Sequence, residues 1–372
     1  MRFLKPFKAI VAALALATIF TACIREEALN AEADITAFHL DGNLLIREPV
    51  ITNDEVRLYI NGWEDRSKLA PRFELTPGAT ISPASGTVRD FTTPQTYVVT
   101  SQDGQWKKTY TVTFVSNDVP TEFHFEGLDY HIYKDEVTGE EFKKFEKLYE
   151  QLADGSKIEW NSGNAGFMIT NGNASPKDYP TMQDDGGHIG KCAKLVTRST
   201  GPFGIGFGAP IAAGNLFLGE FKIELSNMAK STHFGLPYRH KPIAISGFYK
   251  YQPGKDFTDK TNTVLPNERD TFDIYAVMYE TTAEVPYLDG TNIKTHPTIV
   301  MIAQVKERKT TDQWTHFAMT FEPVGGRTLD PEKLRSGKYN LAIVMSSSQG
   351  GAFFRGAVGS TLWVDEMQLF HE

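Results

Sequence analysis

Apolar and polar residues alternate with a period of two through the first third of the chain. Ile35-Thr-Ala-Phe-His-Leu40, Val56-Arg-Leu-Tyr-Ile60 and Tyr110-Thr-Val-Thr-Phe114 each read as a half-buried strand. Turn pairs separate the strands: Asp41-Gly42, Asn61-Gly62, Pro77-Gly78, Ser85-Gly86 and Asp103-Gly104. Short strands without a helical period predict a small antiparallel β-sandwich over residues 23–117. Trp63 and Trp106 are assigned to packing within it. Ser116-Asn-Asp-Val-Pro120 is polar, carries a proline and reads as the linker.

Residues 118–372 predict one larger domain, again built of strands. Phe217, Phe221, Ile223 and Leu225 alternate with Glu220, Lys222 and Glu224. The segments 243–251, 271–279, 298–305, 315–321, 339–345 and 362–370 alternate as well. Strands of that number and length predict a two-sheet jelly roll, so the fold class is all-β throughout. One helix is expected. Thr138-Gly-Glu-Glu141 has the capping-box form, Phe142, Phe145, Tyr149 and Leu152 recur at helical spacing, and Asp154-Gly155 ends it. Gly204-Ile-Gly206-Phe-Gly208 reads as a bulged strand or tight loop, since it lacks the Lys and helix onset of a phosphate site.

The N-terminus has a different pattern. Arg2, Lys5 and Lys8 precede an apolar stretch, Ala9 to Phe20, that is too short to span a membrane but suits a signal peptide. Phe20-Thr21-Ala22-Cys23 resembles the bacterial lipobox, with Phe20 where Leu is usual. The expectation is a leader over residues 1–22 and a lipidated Cys23. Glu26 and Glu27 behind it resemble the surface-export signal of Bacteroidetes lipoproteins. The expected address is therefore the outer membrane, lipid-anchored and facing the exterior. The formal charge is -8, and it becomes more negative once the basic leader is removed. That disfavours nucleic acid as a partner and makes the lipid, not a basic patch, the membrane contact. With two cysteines in all, no disulfide framework exists; Cys192 reads as a small buried apolar residue.

Two resemblances sharpen the picture. Ile81-Ser-Pro-Ala-Ser-Gly86, Asp90-Phe91, Tyr97-Val-Val-Thr100 and Tyr110-Thr-Val-Thr113 resemble the immunoglobulin-like modules that open many Bacteroidetes surface lipoproteins, usually as spacers. Farther on stand Trp160-Asn-Ser-Gly-Asn-Ala-Gly-Phe167, Ala212-Ala-Gly-Asn-Leu-Phe-Leu-Gly219, Gly247-Phe-Tyr-Lys-Tyr251 with Pro253-Gly254, and Ser346-Ser-Ser-Gln-Gly-Gly351 with Leu362-Trp-Val-Asp365. In that order, from about Glu122 to Phe370, they are similar to the putative carbohydrate metabolism domain family of Bacteroidetes lipoproteins. The resemblance implies an immunoglobulin-like sandwich followed by a jelly roll that binds or processes glycans. The family's Arg-Pro before the tyrosine strand is Lys241-Pro242 here, with Arg239 nearby.

Sugars present C–H faces that stack on aromatic rings and hydroxyls that need directed donors and acceptors. Trp160, Asn161 and Asn164 supply both in one loop. Tyr249 and Tyr251 share one strand face, and Asp273 and Tyr275 share another. Ser346, Ser347, Arg239 and Arg355 complete the candidate ligand-binding set. Its partner would be an oligosaccharide or polysaccharide. A glycosidase of the same fold is the alternative; it needs two carboxyl groups about 5–9.5 Å apart, here from a cross-strand pair. A structural or adhesin-like surface protein is the second alternative. No cofactor is expected beyond a structural calcium at Asp365 or Glu366, or at Asp184-Asp185-Gly186.

Overall fold

The computed structural model describes residues 29–372 apart from 43, 46–48, 61–64, 117–118, 136 and 153–156. The leader, Cys23 and Trp63 lie outside the described residues. The chain forms two compact units; the first ends at Phe114, and the second takes Val115–Glu372 together with the stretch that begins at Tyr59 and ends before Asp65.

The first unit is a β-sandwich. A five-stranded sheet runs in the order Val50–Ile51, Glu55–Ile60, Lys107–Ser116, Gln95–Thr100, Thr80–Ser82; a two-stranded sheet pairs Ile35–His39 with Arg72–Leu75. Rings from the small sheet close the core against the large one. The Phe38 centroid lies 6.3 Å from that of Phe114, and the Phe73 centroid 4.7 Å from that of Tyr97. Trp106, expected to pack, is instead 63% exposed.

The second unit is a larger sandwich. Its front sheet runs Thr181–Asp184, Cys192–Val196, Thr361–His371, Pro242–Gln252, Thr311–Thr320, with Glu122–Phe123 added beside Thr361–His371. Its back sheet runs Asn215–Phe217, Tyr339–Ser346, Asp273–Glu280, Ile299–Gln304, Glu322–Pro323. All of these pairings are antiparallel, and the central neighbours lie far apart in sequence, Thr361–His371 beside Cys192–Val196 and Pro242–Gln252, and Tyr339–Ser346 beside Asn215–Phe217 and Asp273–Glu280, as in a jelly roll. Alternate residues of both sheets meet between them. Leu195, Ile245, Tyr249, Tyr251, Leu362 and Val364 face Ile274, Ala276, Met278, Leu341 and Ile343 in one buried cluster. Each large apolar side chain so buried stabilises the fold by about 1.5–3 kcal/mol.

A bulge interrupts the last strand. Ser246 pairs with Gln368 but Phe248 with Asp365, and Glu366 adopts a φ of 48°. The inward parity shifts there, from Leu362 and Val364 before the bulge to Met367 and Leu369 after it. Gly247 lies opposite. A Cβ at that position would stand 2.9 Å from the Met367 Cγ and the Phe317 Cε1, so the close approach admits only glycine.

The helix expected from Thr138 does not form. Glu141–Gln151 is a strand, paired with Gly127–Lys134 and with Lys157–Glu159. A bulge between Lys143 and Phe145 breaks the period of two, which is what mimicked helical spacing. Glu146 and Glu150 take core-facing places beside Phe145 and Leu148. They do so because the tertiary fold supplies donors. Glu146 accepts from the Lys177 Nζ at 2.8 Å and the Gln183 backbone N–H at 2.7 Å. The glycine-rich segment is also corrected. Gly201–Gly206 is a short helix, started by Pro202 in the first turn, where its missing N–H costs nothing.

Candidate functional site

The expected site residues divide between core, loop anchors and one surface cluster. Trp160 is 2% exposed. Its ring packs against Phe123 and Phe125, and its Nε1–H donates to the Glu150 Oε1 at 3.0 Å. No face is left for a sugar. Burial pushes the Glu150 carboxyl above its usual range, against the N–H groups of Trp160, His124 and Phe125 that favour its charge. Asn161 donates to the Gly219 carbonyl at 2.7 Å. Asn164 is fully buried; it donates to the Thr181 carbonyl and accepts from the Thr181 N–H. Both asparagines fasten loops. The cavity beside Trp160 and Asn161 holds about 100 Å³, below the ~300 Å³ at which small-molecule pockets begin.

Tyr249 and Tyr251 do share a face, but it is the core face. Each is 2% exposed and packs on Phe272, at 4.7 and 5.1 Å between centroids. Ser347 is buried and hydrogen-bonded to Thr197. Arg239 donates to the Arg335 carbonyl, near the Glu372 end of the last strand. Arg355 is paired with Glu268 at 3.0 Å.

Asp273, Tyr275 and Ser346 come together on the outer face of the back sheet, where Asp273 lies opposite Ser346. Asp273 is 3% exposed. It accepts from Lys294, from the Gln304 Nε2 at 2.8 Å and from the Arg308 Nη2 at 3.1 Å. The Lys294 ammonium also sits 4.1 Å from the Tyr275 ring centroid. This network satisfies the Asp273 carboxylate from within, leaves the buried Arg308 Nε without a hydrogen-bond partner among the described residues, and ties the segment that carries Lys294 to the sheet. At the open edge between the sheets a cleft of about 410 Å³ is lined by Gln304, Lys306, Lys309, His316 and Glu322. Its charges are paired, Lys306 with Glu322 and Lys309 with Glu307.

The outer face of the front sheet differs in kind. Phe248 and Lys250, on the face opposite the two tyrosines, stand between Trp363 on one neighbouring strand and Trp314 and His316 on the other. The Lys250 ammonium lies 4.5 Å from the Trp314 centroid and 5.3 Å from that of Trp363. His188 stacks on Phe248 at 3.9 Å with the rings 20° apart, and His316 meets Phe248 edge-on. Beyond Trp363, Lys194 is paired with Asp184 at 2.8 Å, and the Trp363 Nε1–H donates to the same carboxylate. Burial pushes the Asp184 carboxyl up, but the Lys194 and Trp363 hydrogen bonds outweigh it and hold it at about 2. The result is an outward-facing platform of two tryptophans, a phenylalanine and two histidines, edged with charge.

Asp365 anchors the loop that carries His188. Its Oδ2 accepts from the His188 and Ile189 N–H groups at 2.6 and 3.0 Å, and its Oδ1 from the Glu366 N–H. Burial pushes its carboxyl up to about 6. Cys192, between Asp184 and Asp365, is buried, and its thiol is pushed up to about 12, chiefly by burial. Among the described residues no group of three or more His, Cys, Asp or Glu side chains is placed to hold a metal ion. The carboxylates of Asp184 and Asp365 are engaged by protein donors. No helix among the described residues is long and apolar enough to cross a membrane.

A model of the family described as putative carbohydrate metabolism domain matches residues 125–370. The chain belongs to that family. A second model, described as SGBP N-terminal, matches residues 35–114. Two solved proteins from Bacteroides are similar over nearly all of their own length. One, described as a putative glycoside hydrolase from Bacteroides thetaiotaomicron, is 47% identical, covers 94% of this chain and 99% of its own, and superimposes with a TM-score of 0.74. The other, a putative glycoside hydrolase from Bacteroides vulgatus, is 38% identical, covers 68% and 99%, and has a TM-score of 0.62. No curated protein matches the chain. Membership in this carbohydrate metabolism domain family places the chain's role among glycans.

The platform's residues were in plain view in the sequence but on the wrong side of the choice. Alternation groups Phe248 with Lys250 and Tyr249 with Tyr251. It does not say which pair faces the core, because both carry aromatic area. Trp314 and His316 alternate with the buried Phe317 and Met319 only from residue 316 onward, so no pattern flagged them.

Proposed function

We propose that this protein binds glycan on the outer face of the front sheet, with Trp314, Trp363 and Phe248 as the stacking surface. The observation that carries the reading is the aromatic platform itself. Trp314 and Trp363 are partly exposed and separated only by Lys250, among polar groups that reach outward. Exposed aromatic area of this kind has no packing role to fulfil, and it suits the C–H faces of sugar rings, with hydroxyls met by His188, His316 and Asp184. The chain is placed at the cell surface, anchored to the outer membrane by a lipid on Cys23, so that the platform meets polysaccharide outside the cell. Labelling with a radioactive fatty acid tests the anchor: it should be lost in Cys23→Ser.

The names of the two solved relatives favour glycoside hydrolysis as a second reading. On this face the carboxyl pair would be Asp184 and Asp365, flanking Cys192 across two strand spacings, about 10 Å between backbones. Inversion needs about 6.5–9.5 Å between the carboxyl groups themselves, so that backbone spacing stands just beyond the range. Against it, both Asp365 oxygens are engaged by backbone N–H groups beneath the His188 loop, and Lys194 pins Asp184. The geometry favours binding. A polysaccharide screen by affinity electrophoresis with Trp314→Ala and Trp363→Ala tests it. Retardation of the native protein that survives in both variants would exclude the platform.

A further inference from the structure

Lys250 occupies an unusual position on the platform. Its neighbour Lys194, on the far side of Trp363, is neutralised by Asp184 at 2.8 Å. Lys306, Lys309 and Lys294 elsewhere on the sandwich are likewise each tied to a carboxylate. Lys250 has no carboxylate and no hydrogen-bond acceptor among the described residues; its charge is held only by the faces of Trp314 and Trp363. An ammonium carries three donors and accepts nothing. Here the stem is fixed by the strand and the head by two rings, while the donors remain unpaired on a partly exposed sheet face. On a chain of net charge -8, a cation left unneutralised at the middle of a stacking surface is a local exception. The other acidic group on this face, Asp365, is covered and engaged by the His188 loop.

Resting on the glycan-binding reading above, we propose that the platform takes an anionic glycan. A sugar ring stacks on one tryptophan while its carboxylate or sulfate, projecting from the ring edge, pairs with the Lys250 ammonium. Carboxylate and sulfate share this chemistry, and the choice between them is made by the ligand. A Lys makes a point-charge contact rather than a bidentate fork, so the site discriminates by charge more than by the shape of the anion. A charged hydrogen bond on a partly desolvated face corresponds to about a tenfold preference for the charged sugar over its neutral counterpart.

The test is affinity electrophoresis and calorimetry of the full chain without its leader, using matched polysaccharides. Polygalacturonate is set against its fully methyl-esterified form, and carrageenan, a sulfated galactan without uronate, against its desulfated, neutral form. The expected result is binding to at least one charged member at least tenfold tighter than to its neutral match, weakened by salt. In Lys250→Met the preference should vanish while affinity for the neutral form and the melting temperature stay the same. Preference in the pectin pair alone assigns a uronate, and in the carrageenan pair alone a sulfate; each supports the proposal. Equal affinity for charged and neutral forms, or a preference that persists in Lys250→Met, overturns it and leaves the platform reading intact. Binding to none of the four overturns the proposal; if Trp314→Ala and Trp363→Ala also leave every polysaccharide contact of the native protein unchanged, the platform falls with it.

Discussion

Replacing Trp160 with Phe separates a core role from a sugar-binding role, and the structure sets the size of the effect. The indole is 2% exposed between Phe123 and Phe125, and its N–H reaches the buried Glu150 carboxylate at 3.0 Å. Phe lacks that donor. Glu150 keeps the backbone N–H groups of His124 and Phe125 at 3.1 and 3.2 Å, but loses one of three. A hydrogen bond to a buried charge contributes about 1.5–3 kcal/mol. The smaller ring also leaves a void, adding about 1–2 kcal/mol because the surroundings relax only in part. The expected loss is therefore about 3–5 kcal/mol, or a fall of roughly 10 °C in the midpoint at 2–4 °C per kcal/mol for a domain of this size. The Glu150 carboxyl should also move further up. Thermal melts and urea unfolding measure the stability; affinity electrophoresis against a bound polysaccharide measures function. Where the variant is folded it should bind as the native protein does. A variant that melts within about 1 °C of the native protein and loses binding would refute this assignment and return Trp160 to the site.

Trp363→Ala should behave the other way. Binding falls at least tenfold by calorimetry, while stability changes by only about 1–2 kcal/mol because the ring is partly exposed. Asp273→Ala should destabilise by about 3 kcal/mol, since it leaves Lys294 and Arg308 without their shared carboxylate; equilibrium urea unfolding reads the loss, and glycan affinity should not move. Gly247→Ala forces a Cβ to within 2.9 Å of Met367 and Phe317 and should cost about 1–3 kcal/mol in the same assay. Stability should also depend on pH in two opposed ways. Asp365 sits at about 6, above its ordinary value, so the folded state binds the proton more tightly and gains stability as pH falls through 6 toward 4, by about 2 kcal/mol; the buried Glu150 and Asp270 act in the same direction. Asp184 is held at about 2, so its contribution is present above about pH 4 and is lost as pH falls toward 2. The difference in stability between the native protein and Asp365→Asn, followed by melts across pH 4–8, isolates the Asp365 contribution, and a difference that does not change with pH would refute the Asp365 assignment.

Much of the fold was legible from pattern alone. Alternation marked the strands at 243–251, 271–279, 339–345 and 362–370; the first, third and fourth lie within observed strands, and the second overlaps Asp273–Glu280. Those strands are long, and their apolar period is set by a core that takes every second residue, so local sequence carries the information. Where the period was broken by a bulge, as at Lys143 to Phe145, the same method produced a helix that does not exist. The buried Glu146 and Glu150 deepened that error. A carboxylate in the core is stable only when a distant donor meets it, and neither Lys177 nor Trp160 announces its partner in the sequence.

By itself, then, the chain's order of residues determined the two-part all-β architecture, the grouping of side chains into strand faces and the family resemblance. The choice of face belonged to the tertiary structure. Tyr249 and Tyr251 against Phe248 and Lys250 is a nearly even contest on hydrophobicity, and it was settled by the back sheet, which buries Phe272 against the tyrosines. That decision turned Lys250 outward between Trp314 and Trp363, residues 64 and 113 positions away in order, and only sheet pairing brings three such distant side chains onto one surface.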